Sequence, residues 1–316
     1  MTTSTTPAAA LLKNHIAGQW LDGDGDASLP VTNPATGEVL THVPLSSPKV
    51  VDQAVGAARR AFADWSTTPV STRCRPLFRL ADLLREHGDD LVRTLTAEMG
   101  KSLPDAMAEL KRAIENVEVA CGMPTLIQGD NVIGCASGID GEVIRLPVGV
   151  FGIITPFNFP LMVPFWFLPY AVGAGNTVVI KCSEQVPMTM CRTMELIEAA
   201  GFPPGVVNLV LGDKDAAQAL LDHEEVDGIS FVGSSAIARH VTMTCADQSK
   251  RCQALGSAKN YLVVMPDAPL PQVVANMLTS CLGCAGQRCM AASAIACVGD
   301  ETYEQVVEQF TAAAKE

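Results

Sequence analysis

"VGVFGIITPFNFP", residues 148–160, is the stretch whose reading decides the fold. A β-branched run bounded by Gly and Pro reads as a buried strand, and the prolines beyond it stiffen the loop that follows. Three similar runs come after it: "NTVVIKC" (176–182), "VVNLVLG" (206–212) and "GISFVGS" (228–234). Helical stretches at roughly 187–200 and 213–222 lie between the later ones. Alternating strands and helices at this spacing predict a parallel sheet with crossover helices. The strands are almost continuously apolar, so both faces of that sheet should be covered.

Outward from this block the pattern changes. Residues 1–50 are turn-rich ("LDGDGDASLP", "TNPATGEV") and read as short strands and loops. From Ser47 to Ala120 apolar residues recur three and four apart with charges between them, which predicts helices. Residues 129–147, "GDNVIGCASGIDGEVIRLP", read as a strand hairpin. Downstream, "YLVVM" (261–265), a helix over about 269–284, "SAIACVG" (293–299) and a final helix from Glu301 repeat the strand–helix alternation.

Composition narrows the function. At 316 residues two domains are expected, and 48% hydrophobic with 18% charged residues is ample for a core. A net charge of −12 argues against a nucleic-acid partner, because phosphate binding needs a basic face. The longest apolar run, "FPLMVPFWFLPYAVGAG", is short and broken by three prolines before Tyr170, so no membrane span is expected. The first twenty residues resemble neither a signal nor a transit peptide. Eleven cysteines in such a chain suggest reduced thiols and a cytoplasmic location.

A parallel α/β sheet binds its ligands at the carboxyl ends of its strands. The first strand leads into "TPFNFP", placing Asn158 in a proline-bounded loop, where asparagine can also simply make a turn. The second ends in "IKCSE"; Lys181 and Glu184 could bond a ribose or only one another. The fourth ends in Gly233-Ser234, a turn that suits either a helix cap or a phosphate. No G-x-G-x-x-G fingerprint is present, so a nucleotide site rests on three strand ends coinciding. Of the late cysteines, Cys281 and Cys284 fall on an apolar helix stripe and read as packing. The five histidines complete no zinc spacing with them. Cys289 lies past Gly283 and Gly286 with Arg288 adjacent, in "GCAGQRCM" (283–290). A neighbouring cation favours the thiolate, so Cys289 is the candidate nucleophile.

Together, "TPFNFP", "IK-x-x-E", "SFVGS" and "GQRCM", in this order and spacing, resemble the aldehyde dehydrogenases, and within them the CoA-acylating methylmalonate-semialdehyde dehydrogenase group. The resemblance runs from "NPATGEV" to the end of the chain. It implies an α/β fold with a Rossmann-type NAD domain (1–128 and 148–254), an oligomerisation hairpin (129–147) and an incomplete α/β catalytic domain (255–316). It implies that Cys289 attacks the aldehyde, while the Asn158 amide and the Cys289 N–H hold the oxyanion. Lys181 and Glu184 would bind the adenosine ribose of NAD, and Gly233 with Ser234 the pyrophosphate. Phe231 would lie near the nicotinamide, with Thr155, Phe157 and Gly212 completing the cofactor set. Arg112 and Arg288 would clamp the substrate carboxylate; by itself Arg112 reads as a solvated helix residue. Where hydrolytic members carry a water-activating glutamate, this chain reads "QALGSAKN", with Leu255 or Ala254 at that position, so coenzyme A is the implied acyl acceptor. The implied reaction turns methylmalonate or malonate semialdehyde into propionyl- or acetyl-CoA with release of CO2. Two other readings stand beside it, a hydrolytic aldehyde dehydrogenase and an inactive or NAD-binding fragment. Cys182 stands where the family usually has proline and Ala238 where it often has glycine. Family members continue well past residue 316 and form homo-oligomers, so an unpaired sheet edge and exposed apolar surface are expected here.

Overall fold

The computed structural model describes residues 10–315. Two strand pairs open the chain, β1 (Asn14–Ile16) with β2 (Gln19–Leu21) and β3 (Ser28–Thr32) with β4 (Val39–Pro44). Helices α1 (Pro48–Trp65), α2 (Val70–Glu86), α3 (Gly88–Met99) and α4 (Leu103–Cys121) follow, then one turn, α5 (Met123–Leu126). Hydroxyl caps set where two of them start. Ser47 Oγ accepts the Lys49 N–H at 3.2 Å, and Ser102 Oγ accepts that of Asp105 at 3.3 Å. A proline in the first turn of each supplies no N–H that would need a partner. The hairpin β5 (Asn131–Ala136) and β6 (Ile139–Glu142) is antiparallel, and all of β5 is exposed.

The alternating block then unfolds as β7 (Val150–Ile154), α6 (Met162–Phe165), α7 (Leu168–Gly173), β8 (Thr177–Lys181), α8 (Met188–Ala200), β9 (Val207–Val210), α9 (Lys214–Asp222), β10 (Gly228–Val232), α10 (Ser235–Asp247) and β11 (Arg251–Leu255). The central sheet has the order β11-β10-β7-β8-β9-β1-β2, parallel from β11 to β9, with β1 and β2 added antiparallel. From β7 the chain steps outward through β8 and β9, then returns to lay β10 on the other side. That reversal makes the gap between β7 and β10 a topological switch point, where such sheets open a crevice. One core, with Leu77, Leu80, Ile153, Phe165, Ile180 and Met190, lies under α2, α4, α7 and α8. The other, with Val55, Val179, Leu220 and Ile229, lies under α1, α9 and α10. Helices on both faces explain why β8 and β9 are buried at every residue. This is the α/β architecture expected from the alternation. Strand β11 went unread, because "RCQAL" is an edge strand exposed at four of its five residues or more weakly covered, with no apolar run to mark it.

The last segment makes a separate layer. β12 (Asn260–Val264) and β13 (Ala292–Cys297) pair in parallel, with α11 (Leu270–Leu282) and α12 (Asp300–Ala313) packed on one face around Val264, Met277 and Val306. Tyr261 and Val263 on β12 stay exposed. All eleven cysteines are free. No helix among the described residues is long and apolar enough to cross a membrane.

Candidate active site

Register brings the sequence-predicted strand ends together. Ile154 of β7 pairs with Lys181 of β8 on one side and Phe231 of β10 on the other, so the three stand in one row at the carboxyl edge. Above that row lies a cleft of about 600 Å³. Thr155, Phe157, Asn158, Lys181, Glu184, Phe231, Gly233, Ser234, Arg288 and Cys289 all line it. At one end, Lys181 Nζ and Glu184 Oε2 are 2.9 Å apart. In the middle, α10 begins with Ser234, whose Oγ accepts the Ile237 N–H at 3.4 Å, so the positive end of the helix faces the cleft. Thr155 Oγ1 is buried without a hydrogen-bond partner. An ion pair at a strand end, a helix N-terminus and an unmatched hydroxyl on one crevice fit a dinucleotide.

The reacting end is built from two loops. After α11 a single 3-10 turn, Gly283–Gly286, turns the chain, with Cys284 (φ 56°), Ala285 (φ 53°) and Gly286 (φ 72°) all left-handed. Non-glycine residues rarely adopt this conformation, and here contacts outside the turn hold it. Asp105 Oδ2 accepts the Cys284 N–H at 3.0 Å, and the Cys284 thiol is buried with Met99 and Val186. Burial pushes that thiol up, although nearby Lys101 pulls the other way, so Cys284 is an inert packing residue. Cys289 follows, exposed to the cleft, with its carbonyl accepting from Asn260 Nδ2 at 2.8 Å. Among the described residues no hydrogen bond uses the Cys289 N–H. On the facing loop, Asn158 Nδ2 donates to the Gln287 carbonyl at 2.6 Å, so its amide points at the segment carrying Cys289.

Three residues that sequence reasoning missed support this geometry. Lys101 Nζ donates to the Asn158 carbonyl at 2.7 Å and pairs with Glu109. Glu109 Oε1 accepts the N–H groups of Leu161 and Met162 at 2.8 and 3.0 Å. Asp105 pairs with Arg288. Burial pushes the Asp105 carboxyl up, but the Cys284 N–H, the Ser102 hydroxyl and Arg288 outweigh it and hold the group below its usual range. Asp105 and Glu109, four apart, lie near one side of α4, beside the buried Ala106, Leu110 and Ala113, and Lys101 stands just before the Ser102 cap of that helix. Charges in phase with an apolar stripe were the available signal.

Residues 20–316 match the model of the aldehyde dehydrogenase family. The chain belongs to that family. This aldehyde dehydrogenase chain is 47% identical over 306 residues to malonate-semialdehyde dehydrogenase 1 of Geobacillus kaustophilus, covering 96% of itself and 63% of that relative. It superposes on the methylmalonate-semialdehyde dehydrogenase of Oceanimonas doudoroffii with a TM-score of 0.94 at 44% identity, covering 97% of this chain and 62% of that one. A Sinorhizobium meliloti chain solved in complex with NAD gives 0.95 at 37% identity, with 98% and 63% covered. The chain thus spans under two thirds of the length of these relatives.

Three of the expected residues make contacts of their own in this aldehyde dehydrogenase chain. Arg112 is outside the cleft: it lies two turns beyond Asp105 along α4, about 10 Å at 1.5 Å per residue, and its exposed guanidinium pairs with Glu115 at 2.6 Å. Gly212 also falls outside the lining. It is two residues past the end of β9 with φ 154°, and a Cβ there would meet Ala216 Cβ at 2.7 Å, so its glycine serves the β9–α9 packing. Arg288 does line the cleft, yet its hydrogen bonds go to Asp105 and to the Thr279 carbonyl rather than to Cys289.

Proposed function

We propose that this chain carries the cofactor and nucleophile sites of an NAD-dependent semialdehyde dehydrogenase that transfers its acyl group to coenzyme A. The observation that carries the reading is the composition of the cleft wall around Cys289. Among the described residues its only carboxylate is Glu184, which is paired with Lys181 at the far end, and its one imidazole, His240, is hydrogen-bonded to Gln218 at 3.0 Å. At the end of β11, where a water-activating base is expected in hydrolytic members, stand Ala254 and Leu255, and the segment beyond contributes Gly256, Ser257 and Ala258 to the cleft. None of these can take a proton from water, so a thiol, which ionises near neutrality, is the natural acceptor.

In this scheme the Cys289 thiolate adds to the aldehyde carbon. The oxyanion is held by the Asn158 amide and the Cys289 N–H, donors of a kind worth roughly 3 kcal/mol each. Lys181, Glu184 and the start of α10 would hold NAD, which would supply the hydride acceptor. The Cys289 thioester that remains is then attacked by the coenzyme A thiol, which takes the acyl group and returns the thiol to Cys289. For a β-carboxy acyl group, CO2 leaves and a proton replaces it, the electron pair being stabilised as an enolate. Arg288 keeps the Nη1 edge for the substrate carboxylate, since only a 3.4 Å bond to the Thr279 carbonyl occupies it. The exposed β5–β6 hairpin is proposed as a contact between copies of the chain.

NADH absorbance on mixing the chain with NAD and malonate semialdehyde tests the scheme. Turnover that requires coenzyme A is expected. NADH formed equally fast without it would instead mark a hydrolytic enzyme, and NAD binding without turnover a cofactor-binding fragment.

A further inference from the structure

Lys101 and Glu109 are the most deeply buried charged residues among the described residues, with neither side chain exposed at all. Taking two charges out of water is costly, and an apolar pair of the same volume would fill the same space without that cost. What an apolar pair could not do is visible in the bonding. Lys101 Nζ donates to the Asn158 carbonyl at 2.7 Å and lies 4.3 Å from the centre of the Phe159 ring. Glu109 Oε1 takes the N–H groups of both Leu161 and Met162. Outside the pair itself, every one of these bonds falls on a single segment, residues 158–162. That segment contains Pro160, runs into the one-turn helix α6 and has no strand partner of its own. Asp105, on the same helix α4 as Glu109, holds Cys284 and Arg288 on the opposite loop.

We infer that the Lys101–Glu109 pair is a positioning device for Asn158: it grips the backbone at this residue and just after it, and so aims the amide at the Cys289 loop. The inference rests on the oxyanion role proposed for Asn158. Lys101 and Glu109 are positioning residues, acting through the loop and touching neither substrate nor cofactor. The rigidity is geometric. The Asn158 carbonyl is held from one side by Lys101, while its amide bonds the Gln287 carbonyl on the other. Losing the first anchor leaves the second free to wander, and a shift of about 1 Å in a catalytic group costs roughly 100-fold in rate.

The test uses the full chain with Lys101→Met and Glu109→Leu together, which removes both charges and leaves no lone one buried. Hydrogen exchange followed by mass spectrometry is expected to show amides of 156–162 exchanging roughly tenfold faster, with peptides from α2 and α8 unchanged. Unchanged exchange in 156–162 overturns the inference. Glu109→Gln, which alters almost no volume, must speed the same segment in the same direction. In the NADH assay the double substitution should lower kcat about 100-fold with KM for NAD unchanged. Placed in an Asn158→Ala background, it should cost less than about twofold, because its effect passes through Asn158. Losses that add in full would mean a purely structural pair and would also overturn the inference. If Asn158→Ala alone leaves kcat intact, the oxyanion role is what fails, and the exchange result still decides the clamp.

Discussion

Serine at position 289 would keep the loop and the cleft while replacing thiolate by a far weaker nucleophile. Cys289→Ser is therefore expected to lower NADH formation by roughly 10⁴-fold or more and to leave NAD binding, read by calorimetry, within about twofold. Limited alkylation followed by peptide mapping should modify Cys289 long before Cys284, which is buried and pushed up; the reverse order would remove Cys289 from the scheme. A second residue-scale prediction concerns Glu98. Burial pushes its pKa up from 4.5 to about 7, although it accepts the Met188 and Thr189 N–H groups at 2.7 and 2.9 Å. Between those two values the folded chain still holds a proton that the unfolded chain has lost. Stability contributed by this group is thus full at low pH, falls as pH rises through about 7, and is flat above that. Against Glu98→Gln, which does not titrate, wild type should lose on the order of 2–3 kcal/mol between about pH 5 and pH 8 in urea unfolding. A gap independent of pH would show that the carboxyl titrates normally. Of these residues, Cys289 and Asn158 were legible because each stands in a Gly- or Pro-bounded loop at a strand end. Glu98, Lys101 and Glu109 were not, because a charged residue on a helix or at its end looks solvated until its burial is known.

At the scale of elements, close approaches decide what can change. Gly205 joins α8 to β9 with φ +88°, and a Cβ there would lie 2.8 Å from the Ala57 carbonyl on α1. The left-handed backbone costs an L-residue about 1 kcal/mol and the clash another 1–3. Gly205→Ala should therefore lower stability by roughly 2–4 kcal/mol in urea unfolding, while Gly25→Ala, with nothing within 4 Å, should change it little. Equal effects of the two would mean that α1 yields where it crosses β9. The strands β7 to β10 and the helices α8 and α9 could be read from their patterns, since burial on both faces forces continuous apolar runs. The edge strand β11 could not, and neither could the turn at Gly283–Gly286, whose left-handed run is held by Asp105 from 179 residues away.

Across the molecule, two apolar surfaces stand open among the described residues. One is the β5–β6 hairpin and its flanks, where Ile133 and Leu146 are each 77% exposed; the other is the bare face of β12 with Tyr261 and Val263. Contiguous exposed apolar surface of this kind drives association. Ile133→Glu with Leu146→Glu should reduce the mass seen by light scattering without changing NAD affinity, and Tyr261→Lys with Val263→Glu should slow aggregation on warming. An unchanged mass in the first pair would remove the hairpin as a contact between copies.

What the sequence determined by itself was the order of elements and the chemistry at each strand end, because periodicity and Gly/Pro punctuation are local. It carried the alternation from Val150 to Val232, the loop bearing Asn158, the Lys181–Glu184 pair and Cys289. Only the tertiary structure decided which of these share a cleft. Strand register set Lys181, Ile154 and Phe231 in one row, helix length carried Arg112 past the edge of the site, and burial turned Lys101 and Glu109 from surface charges into the grip on Asn158. Those outcomes depend on distances between segments far apart in the chain, and local pattern contains no such distances.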